Sequence, residues 1–471
     1  MTKIKFGTDG WRAIIAKEYT VDNVARVTVA VAEWLKQNFE RPSVTIGHDC
    51  RFGGPLFTET AIKVLVSHGV RVHTTSRGFV STPMISLATR ELQTSMGLVI
   101  TASHNPPSYN GYKLKGHFGG PLLQDDVSAI ESIIPDANPI DLDNISIKEA
   151  EKDGLISYTD FEEMYIQQVK SAFDLELIQN SGIGFAYDAM YGAGQSVAKK
   201  LLPNMTFLHC DYNPSFMGQA PEPIHKNLLE FSELIKNNDS IQCGLATDGD
   251  ADRIGLYNST GEFVDSHHII LLTIHYLAKY KGLKGKVVTG FSSTPKIKEM
   301  CDHYGLEHVE VPIGFKHIAG LMSDPSEDIL LGGEESGGIA LKTHIPERDG
   351  IWMGLTIWEF MAKTGKTLED LIAEVYEIVG PFAFERNDLH IDEDLKEDIV
   401  QKCKNAEFNM FGKYQVDHIE TMDGFKYFFD ESRWLMIRPS GTEPVLRTYA
   451  EAPTLEEVRV ILDACKLTIG A

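Results

Sequence analysis

The chain has 471 residues, a formal net charge of −23, 43% hydrophobic residues and 24% charged residues. This length suggests about three domains, and the composition is typical of a folded globular protein. The excess of acidic residues argues against nucleic acid as a partner. The sequence contains no apolar run near the roughly 18 residues of a membrane helix, so we also expect no membrane partner.

The cysteines occur singly, and none forms a Cys-Xaa-Xaa-Cys pair, so neither a disulfide framework nor a zinc site is indicated. They are Cys50, Cys210, Cys243, Cys301, Cys403 and Cys465. Reduced cysteines fit the cytosol, and the first residues lack the apolar segment of a signal peptide. We therefore expect a cytoplasmic protein, either a monomer or a homo-oligomer.

The first hundred residues contain a turn followed by alternating helices and strands. Two glycines flank Asp9 in Phe6-Gly7-Thr8-Asp9-Gly10-Trp11-Arg12, which predicts a tight turn with Arg12 either on the surface or beside a phosphate. Helices are predicted over residues 21–39, 55–68 and from 81 onward, and strands over residues 44–47, 70–74 and 97–101. Alternating helices and strands predict a parallel sheet with helices on both faces.

The segment after the last of these strands is the most informative part of the sequence. It reads Val99-Ile100-Thr101-Ala102-Ser103-His104-Asn105-Pro106-Pro107, and its prolines fix the chain as it leaves the strand. Ser103 is thereby placed at the carboxyl end of a strand, where open α/β sheets carry their chemistry. A serine needs activation or a transferable group to act in catalysis, and His104 is one nearby candidate for that role.

Lys113 is the second candidate partner of Ser103. It follows Asn110-Gly111, a dipeptide typical of tight turns, and a turn there would fold the lysine back toward the Ser103 loop. Perturbed lysines cluster at functional sites, so Lys113 is a candidate catalytic group. The alternative is an ordinary solvated lysine.

A second motif reads Asp248-Gly249-Asp250-Ala251-Asp252-Arg253. Its small residues let the chain bend until the three carboxylates face one point. Clustered carboxylates repel one another unless a cation lies among them, and oxygen-only ligands select a hard ion such as Mg²⁺. The spacing does not match an EF-hand loop, whereas an aspartyl nucleophile of the haloacid-dehalogenase type remains an alternative. Arg253 would face the phosphate that the metal contacts.

Two further segments have the residues of a sugar site and a phosphate site. Glu334 and Ser336, in Gly333-Glu334-Glu335-Ser336-Gly337-Gly338, combine a carboxylate and a hydroxyl that can bind a vicinal diol, although a plain glycine-rich hairpin is the alternative. Near the end of the chain, Arg438-Pro439-Ser440-Gly441-Thr442-Glu443-Pro444 is followed by Arg447. Glycine frees backbone N–H groups to converge on an anion, and the hydroxyls and arginines complete a phosphate cradle.

These segments resemble, in the same order, the motifs of the α-D-phosphohexomutase superfamily, which includes phosphoglucomutases, phosphomannomutases and phosphoglucosamine mutases. The Ser103 segment is similar to the phosphoserine signature, residues 248–253 to the metal loop, residues 333–338 to the sugar-specificity loop and residues 438–444 to the phosphate-binding motif. The resemblance implies an α/β protein with three successive mixed α/β/α domains and a TBP-like α+β C-terminal domain around a central cleft. We place these domains at residues 1–150, 151–258, 259–375 and 376–471.

The resemblance also implies roles for individual residues. Ser103 carries a phosphoryl group, Mg²⁺ is bound by Ser103, Asp248, Asp250 and Asp252, and Lys113 is a general acid or base, with His104 and Arg12 as further catalytic candidates. The candidates for substrate binding are Arg253, Lys316, Glu334, Ser336, Arg438, Ser440, Gly441, Thr442 and Arg447. The implied reaction interconverts hexose 1-phosphate and hexose 6-phosphate through a hexose 1,6-bisphosphate, which also acts as activator.

The identity of the sugar and two other functions stay open at this point. Glu335, residues 314–316 and residues 348–350 look more like the phosphoglucomutase branch, which favours glucose, with mannose and glucosamine phosphates as alternatives. A Mg²⁺ phosphatase would pass the phosphoryl group to water, and a non-catalytic sensor of sugar bisphosphates would need no phosphoserine. Ser103 and all three aspartates are present, which favours the mutase.

Overall fold

A computed structural model describes residues 3–76, 78–439 and 445–471. The first domain contains β1 (Trp11–Ile14), α1 (Val21–Asn38), β2 (Ser43–His48), α2 (Gly54–Ser67), β3 (Arg71–Thr74), α3 (Thr82–Glu91), β4 (Met96–Ile100), β5 (Tyr109–Gly116), α4 (Gln124–Ser132), a 3₁₀ helix (Leu142–Asn144), α5 (Ile147–Lys152) and β6 (Ile156–Tyr158). The strand order is β1-β5-β4-β2-β3-β6. Thr20 caps α1, and α3 begins after Ser81, within one residue of its predicted start. The sheet also includes β6, which lies beyond residue 150, the end of the first domain in the sequence-based division.

The predicted parallel arrangement of β2, β3 and β4 is confirmed, but the complete sheet of this domain is mixed. β2, β3, β4 and β6 run parallel, but β5 is antiparallel to both β4 and β1. The loop over residues 101–108 is too short for a crossover helix, so the chain must return antiparallel. Asn110-Gly111, predicted as a turn, lies inside β5. Glycine is required because a Cβ at residue 111 would lie 2.4 Å from the carbonyl oxygen of Thr101.

The second domain is built on a sheet of the same mixed kind. It contains α6 (Phe161–Ala172), α7 (Leu175–Gln179), β7 (Phe185–Asp188), α8 (Gln195–Leu201), β8 (Thr206–Leu208), two 3₁₀ helices (Phe216–Gly218 and His225–Asn227), α9 (Leu229–Lys236), β9 (Cys243–Thr247), β10 (Ile254–Tyr257) and β11 (Phe263–Val264). The strand order is β11-β10-β9-β7-β8. β7 is parallel to β8 and β9, whereas β10 is antiparallel to β9 and β11.

The third domain contains α10 (Ser266–His275), which continues as a π-helix (Tyr276–Tyr280), β12 (Lys286–Gly290), α11 (Lys296–Tyr304), β13 (His308–Val311), α12 (Phe315–Ser323), β14 (Ile329–Gly333), β15 (Ile339–Leu341), α13 (Gly350–Thr364) and α14 (Leu368–Val379). The strand order is β13-β12-β14-β15. α13 is buried and contacts β9 and β10 of the second sheet as well as β15. One hydrophobic core therefore spans much of the second and third domains.

The fourth domain contains β16 (Ala383–His390), α15 (Glu393–Lys404), β17 (Met410–Phe411), β18 (Tyr414–Gln415), β19 (His418–Glu420), β20 (Phe425–Asp430), β21 (Arg433–Pro439), β22 (Val445–Ala452) and α16 (Leu455–Ile469). Its main sheet, in the order β16-β22-β21-β20-β19, is antiparallel. α15 and α16 share one hydrophobic core with this sheet, which agrees with the predicted α+β domain. Within the described ranges, no helix combines the length and apolarity needed to cross a membrane.

Candidate active site

Ser103 lies on the loop after β4 with a backbone conformation that few serines adopt. Its φ is +51°, in the left-handed region, which costs a non-glycine residue about 1–3 kcal/mol unless its surroundings impose it. The side chain is buried, and its Oγ donates a hydrogen bond to Oδ2 of Asp248 at 2.7 Å. The Ser103 loop of the first domain therefore meets the aspartate motif of the second.

The aspartate motif forms the connection between the antiparallel strands β9 and β10. Asp248, Asp250 and Asp252 are fully buried, and one carboxylate oxygen of each lies within 4.8 Å of the others. The backbone N–H groups of Asp252 and Arg253 donate to Oδ1 of Asp248 at 2.9 and 3.2 Å. The structure thus brings the three predicted metal ligands together around one point.

The carboxylate cluster has the donor set of a site for a hard divalent cation. Oδ1 of Asp250 and Oδ1 of Asp252 are buried and have no hydrogen-bond partner among the described residues, which is costly for charged oxygens. Burial and the charges of Asp250 and Asp252 raise the pKa of Asp248 well above its ordinary value. Carboxylate oxygens are the ligands that Mg²⁺ prefers, so these residues fit the predicted ion.

Lys113 lies on β5, fully buried, and contacts the aspartate motif, although the turn predicted to fold it toward the Ser103 loop is a strand. Its Nζ lies 2.8 Å from Oδ2 of Asp250, of Asp252 and of Asp9. Burial alone would lower the pKa of Lys113, but these carboxylates raise it well above its ordinary value. In this arrangement Lys113 is a protonated ammonium group. It can donate a proton as a general acid, but it must be deprotonated before it can accept a proton as a general base.

His104 and Arg12 flank the Ser103 loop. Nδ1 of His104 lies 3.5 Å from Oγ of Ser103, and burial together with Arg253, Arg12 and Lys113 lowers the pKa of His104 well below its ordinary value. The imidazole is therefore neutral at physiological pH. Arg12 donates from Nη1 to Oδ1 of Asn105, the residue after His104, at 2.7 Å.

The predicted sugar-specificity loop packs directly against the aspartate motif. Arg253 and Gly338 form a β-bridge, and the N–H of Ile254 donates to the carbonyl of Gly337 at 3.0 Å. Oε1 of Glu334 accepts from the N–H of Gly314 at 3.0 Å, and burial raises the pKa of Glu334 to about 7 against the opposing charge of Arg348.

Three predicted residues around this loop have distinct environments. Ser336 is half-buried, on the same turn as Glu334. Lys316 donates from Nζ to Oε1 of Gln124 in the first domain at 2.8 Å. Nε of Arg253 is buried with no hydrogen-bond partner in the described parts of the chain, which leaves a donor available to an anion.

Two predicted phosphate-binding arginines lie side by side in the fourth domain. Arg438 on β21 is the register partner of Arg447 on β22. Nε of Arg438 lies 3.0 Å from Oδ1 of Asp423, and Oδ2 of Asp423 accepts from the N–H of Ile313 in the third domain at 2.9 Å. Nε of Arg447 lies 3.8 Å from Oδ1 of Asp388. The predicted ligands Ser440, Gly441 and Thr442 lie outside the described residues.

Family models match each of the four domains. The models for the phosphoglucomutase/phosphomannomutase α/β/α domains I, II and III match residues 3–140, 163–261 and 265–379, and the model for the C-terminal domain matches residues 391–466. The chain belongs to the phosphoglucomutase/phosphomannomutase family. Members of this family are phosphomutases, enzymes of intramolecular phosphoryl transfer, and the four-domain fold predicted from the sequence is confirmed.

Similar proteins in the family are named for different sugar phosphates. A "Phosphoglucomutase/phosphomannomutase" of Thermococcus kodakarensis is 30% identical over 97% of this chain and 96% of its own. A "Phosphoglucosamine/phosphogalactosamine mutase" of Sulfurisphaera tokodaii is 29% identical over 95% of both chains. A crystal structure of a proposed phosphomannomutase from Thermus thermophilus covers all of both chains with 30% identity and a TM-score of 0.87.

Two charged residues at the centre of this phosphomutase site were not predicted. Asp9 forms ion pairs with Lys113 and Arg348. Burial alone would raise the pKa of Asp9, but the charges of Arg348, Lys113 and Lys115 hold that pKa well below its ordinary value. Nη2 of Arg348 also lies 2.8 Å from Oδ2 of Asp252. From the sequence, Asp9 was interpreted only as part of a turn, and Arg348 only as a residue typical of the phosphoglucomutase branch. The contacts between them were missed because the two residues are distant in sequence. The one available signal was the occurrence of charged residues beside glycines.

Proposed function

We propose that this protein interconverts hexose 1-phosphates and hexose 6-phosphates through a phosphoserine at Ser103 and a hexose 1,6-bisphosphate, with glucose favoured. The observation that carries the proposal is the 2.7 Å contact between Oγ of Ser103 and Oδ2 of Asp248, inside the carboxylate cluster. A hydroxyl held against a hard-cation site is the arrangement that reversible phosphoryl transfer needs.

The transfer exchanges one oxygen–phosphorus bond for another. The bond from Ser103 Oγ to phosphorus breaks while a bond forms from a hexose hydroxyl oxygen to phosphorus. The hydroxyl proton passes to an acceptor, and the released serine oxygen takes up a proton to regenerate the Ser103 hydroxyl. Mg²⁺ held by the three aspartates and the phosphoserine would neutralise the charge that develops during transfer. Return transfer from the other phosphate of the bisphosphate restores phosphoserine.

The proton acceptor is proposed to be a residue that contacts either the aspartate motif or Ser103. We propose Lys113 for this role, which requires that its ammonium first lose the carboxylate contacts that hold its proton. Neutral His104, 3.5 Å from Ser103 Oγ through Nδ1, is the second candidate, because an unprotonated imidazole can accept a proton without a prior change.

Substrate binding is proposed to use residues of the second, third and fourth domains. Arg438 and Arg447, together with Ser440, Gly441 and Thr442, would hold the existing phosphate, while Glu334 and Ser336 would bind sugar hydroxyls. Binding the distal phosphate places the free hydroxyl against the phosphoserine, and such positioning supplies much of the rate. Nε of Arg253 would donate to the phosphate under transfer.

The preferred sugar is the least constrained part of the proposal. Glu335 favours glucose, whereas relatives of nearly equal identity include a phosphoglucosamine/phosphogalactosamine mutase and a phosphoglucomutase/phosphomannomutase. Mannose and glucosamine phosphates are therefore the alternative substrates.

The experiment compares isomerisation of glucose, mannose and glucosamine 1-phosphates, each supplied with Mg²⁺ and catalytic glucose 1,6-bisphosphate. We expect the highest kcat/KM with glucose 1-phosphate and no activity in Ser103→Ala. Ser108→Ala is the matched control, because Ser108 lies on the same loop with an exposed side chain. Release of inorganic phosphate in place of isomerisation would identify a phosphatase, and no turnover of any kind would favour a sensor.

A further inference from the structure

Arg51, which follows β2, is buried beneath the Ser103 loop. We propose that Arg51 is the positioning residue that fixes the Ser103 hydroxyl in its phosphoryl-transfer orientation. The inference rests on the proposed function, since it assigns a role in the transfer from Ser103. Among the described residues Arg51 forms no hydrogen bond or ion pair with Asp248, Asp250 or Asp252, so we infer that it acts on the reaction through the backbone of the loop.

The guanidinium of Arg51 binds several carbonyl groups of one loop at once. Nη1 donates to the carbonyl oxygens of Pro106 at 3.0 Å and Tyr109 at 3.2 Å. Nη2 donates to the carbonyl oxygens of Ser103 and, at 2.7 Å, Asn105. The side chain is 0% exposed, so water does not compete for these bonds. A planar fork with five N–H donors can make this set of bonds, whereas a lysine ammonium has three donors on one atom.

The same arginine closes a ring of contacts around the Ser103 residue. Nε of Arg51 lies 3.3 Å from Oδ2 of Asp49, and that oxygen accepts from the hydroxyl of Thr101 at 2.5 Å. The hydroxyl oxygen of Thr101 in turn accepts from the N–H of Ser103 at 2.9 Å. Both the N–H and the carbonyl of Ser103 are therefore held by one network, which accounts for the left-handed φ of +51°.

The second domain closes this network from the other side. A Cβ at Gly249, inside the aspartate motif, would lie 2.5 Å from the carbonyl oxygen of Ser103 and 3.5 Å from Nη2 of Arg51. The Arg51 guanidinium also lies 4.9 Å from the ring centre of Phe216. The Ser103 carbonyl is thus confined between Arg51 and the backbone of the aspartate motif, which fixes the backbone from which the hydroxyl reaches Asp248.

The test is Arg51→Lys, which keeps a positive charge near Asp49 but cannot reproduce the four carbonyl contacts. We expect kcat to fall by about 100-fold, because a misplacement of about 1 Å has an effect of this size, while KM for the hexose phosphate stays within about twofold. The single-turnover rate of Ser103 phosphorylation by glucose 1,6-bisphosphate, followed by intact mass, should fall in parallel. A purely structural role would lower the folded fraction and leave the kcat of the folded enzyme unchanged.

Arg26→Lys is the matched control. Arg26 is a buried arginine of the same domain that donates from Nε to the carbonyl of Pro135 at 2.7 Å, so it also fixes a loop, but on helix α1. We expect Arg26→Lys to retain wild-type kcat and phosphorylation rate per folded molecule. An equal loss in both variants would mean that general loosening of the first domain, and not the Ser103 network, sets the rate.

The outcomes separate this inference from the proposed function. If the wild-type protein is never phosphorylated on Ser103, the proposed function fails. If the wild type is phosphorylated and Arg51→Lys transfers within about twofold of its rate, the positioning role is overturned. Should Arg51→Lys not fold, Thr101→Val tests the N–H side of the same network with almost no change of shape. That variant should lower kcat with KM unchanged, and an unchanged kcat would again overturn the role.

Discussion

Nζ of Lys113 in the first domain lies 2.8 Å from Oδ2 of Asp250 in the second, so a proposed proton-transfer residue and a proposed metal ligand are bonded to each other. The contact joins the two domains through a fully buried ion pair. It also means that a change in the charge of one group alters the proton affinity of the other. The proposed metal binding and the proposed proton transfer would therefore be coupled.

Lys113→Arg separates proton transfer from electrostatic stabilisation. Arginine keeps the positive charge beside Asp250 but is not deprotonated at accessible pH, so it cannot act as a general acid or base. We expect kcat to fall by about 10²–10⁴-fold, the usual contribution of general acid or base catalysis. The measurement is kcat alongside a thermal unfolding curve.

Lys426→Arg is the control for this substitution, since Lys426 is a buried lysine of the fourth domain whose Nζ donates to the carbonyl of Ser293 at 2.9 Å. Activity near that of the wild type in Lys113→Arg would assign an electrostatic role to Lys113 and shift proton transfer to His104.

Asp252→Asn should abolish the response of the protein to Mg²⁺. A cation that binds only the folded state stabilises it by about 2.7 kcal/mol at a concentration 100-fold above its Kd, so Mg²⁺ should raise the unfolding temperature of the wild type. Thermal unfolding with Mg²⁺ and with a chelator measures this difference. Asp302→Asn, an exposed aspartate paired with Lys298, should keep the full response. A persistent Mg²⁺ shift in Asp252→Asn would place the ion elsewhere.

Gly338→Ala should disturb the site through Arg348. A Cβ at residue 338 would lie 2.3 Å from Cδ of Arg348, so the arginine must move away from Asp252 and Asp9. We expect at least about a tenfold loss of kcat/KM, since hydrogen bonds to charged groups contribute about 1.5–3 kcal/mol. A double-mutant cycle with Arg348→Ala checks the cause, because residues in contact are not additive. If the alanine at 338 lowers activity equally in the Arg348→Ala background, the effect does not pass through Arg348.

Arg438→Ala should weaken binding of the substrate phosphate more than it slows the reaction. Loss of a charged donor is expected to raise KM by about tenfold or more, with a smaller change in kcat. Steady-state kinetics in Arg433→Ala provide the comparison, because Arg433 is on the same strand but pairs with Asp430 and Glu457. A KM equal to that of the Arg433→Ala variant would contradict the predicted phosphate cradle.

Local patterns in the sequence predicted much of the fold and part of the site. The strand predicted over residues 70–74 is observed over Arg71–Thr74. The aspartates at alternate positions 248, 250 and 252 are gathered as expected, because closely spaced residues on one tight connection cannot lie far apart. These features depend on short stretches of chain, which is why the sequence alone was sufficient.

Contacts between distant segments could not be predicted in the same way. Asn110-Gly111 has the composition of a turn, but the carbonyl of Thr101 approaches residue 111 so closely that only glycine fits within the strand. Arg348 reaches Asp9 across most of the chain, and no local pattern encodes that pairing. The direction of β5 likewise follows from the length of the loop before it and not from the strand's own residues.

The most direct measurement is the fate of phosphate on Ser103. The protein is incubated with Mg²⁺ and glucose 1,6-bisphosphate, its intact mass and tryptic peptides are measured, and it is then chased with glucose 1-phosphate. We predict one phosphate on the peptide that contains Ser103, discharged by the chase with formation of the bisphosphate. An active wild-type enzyme that never carries phosphate on Ser103, or a phosphoserine that is lost as inorganic phosphate at the same rate without the chase, would contradict the mutase mechanism.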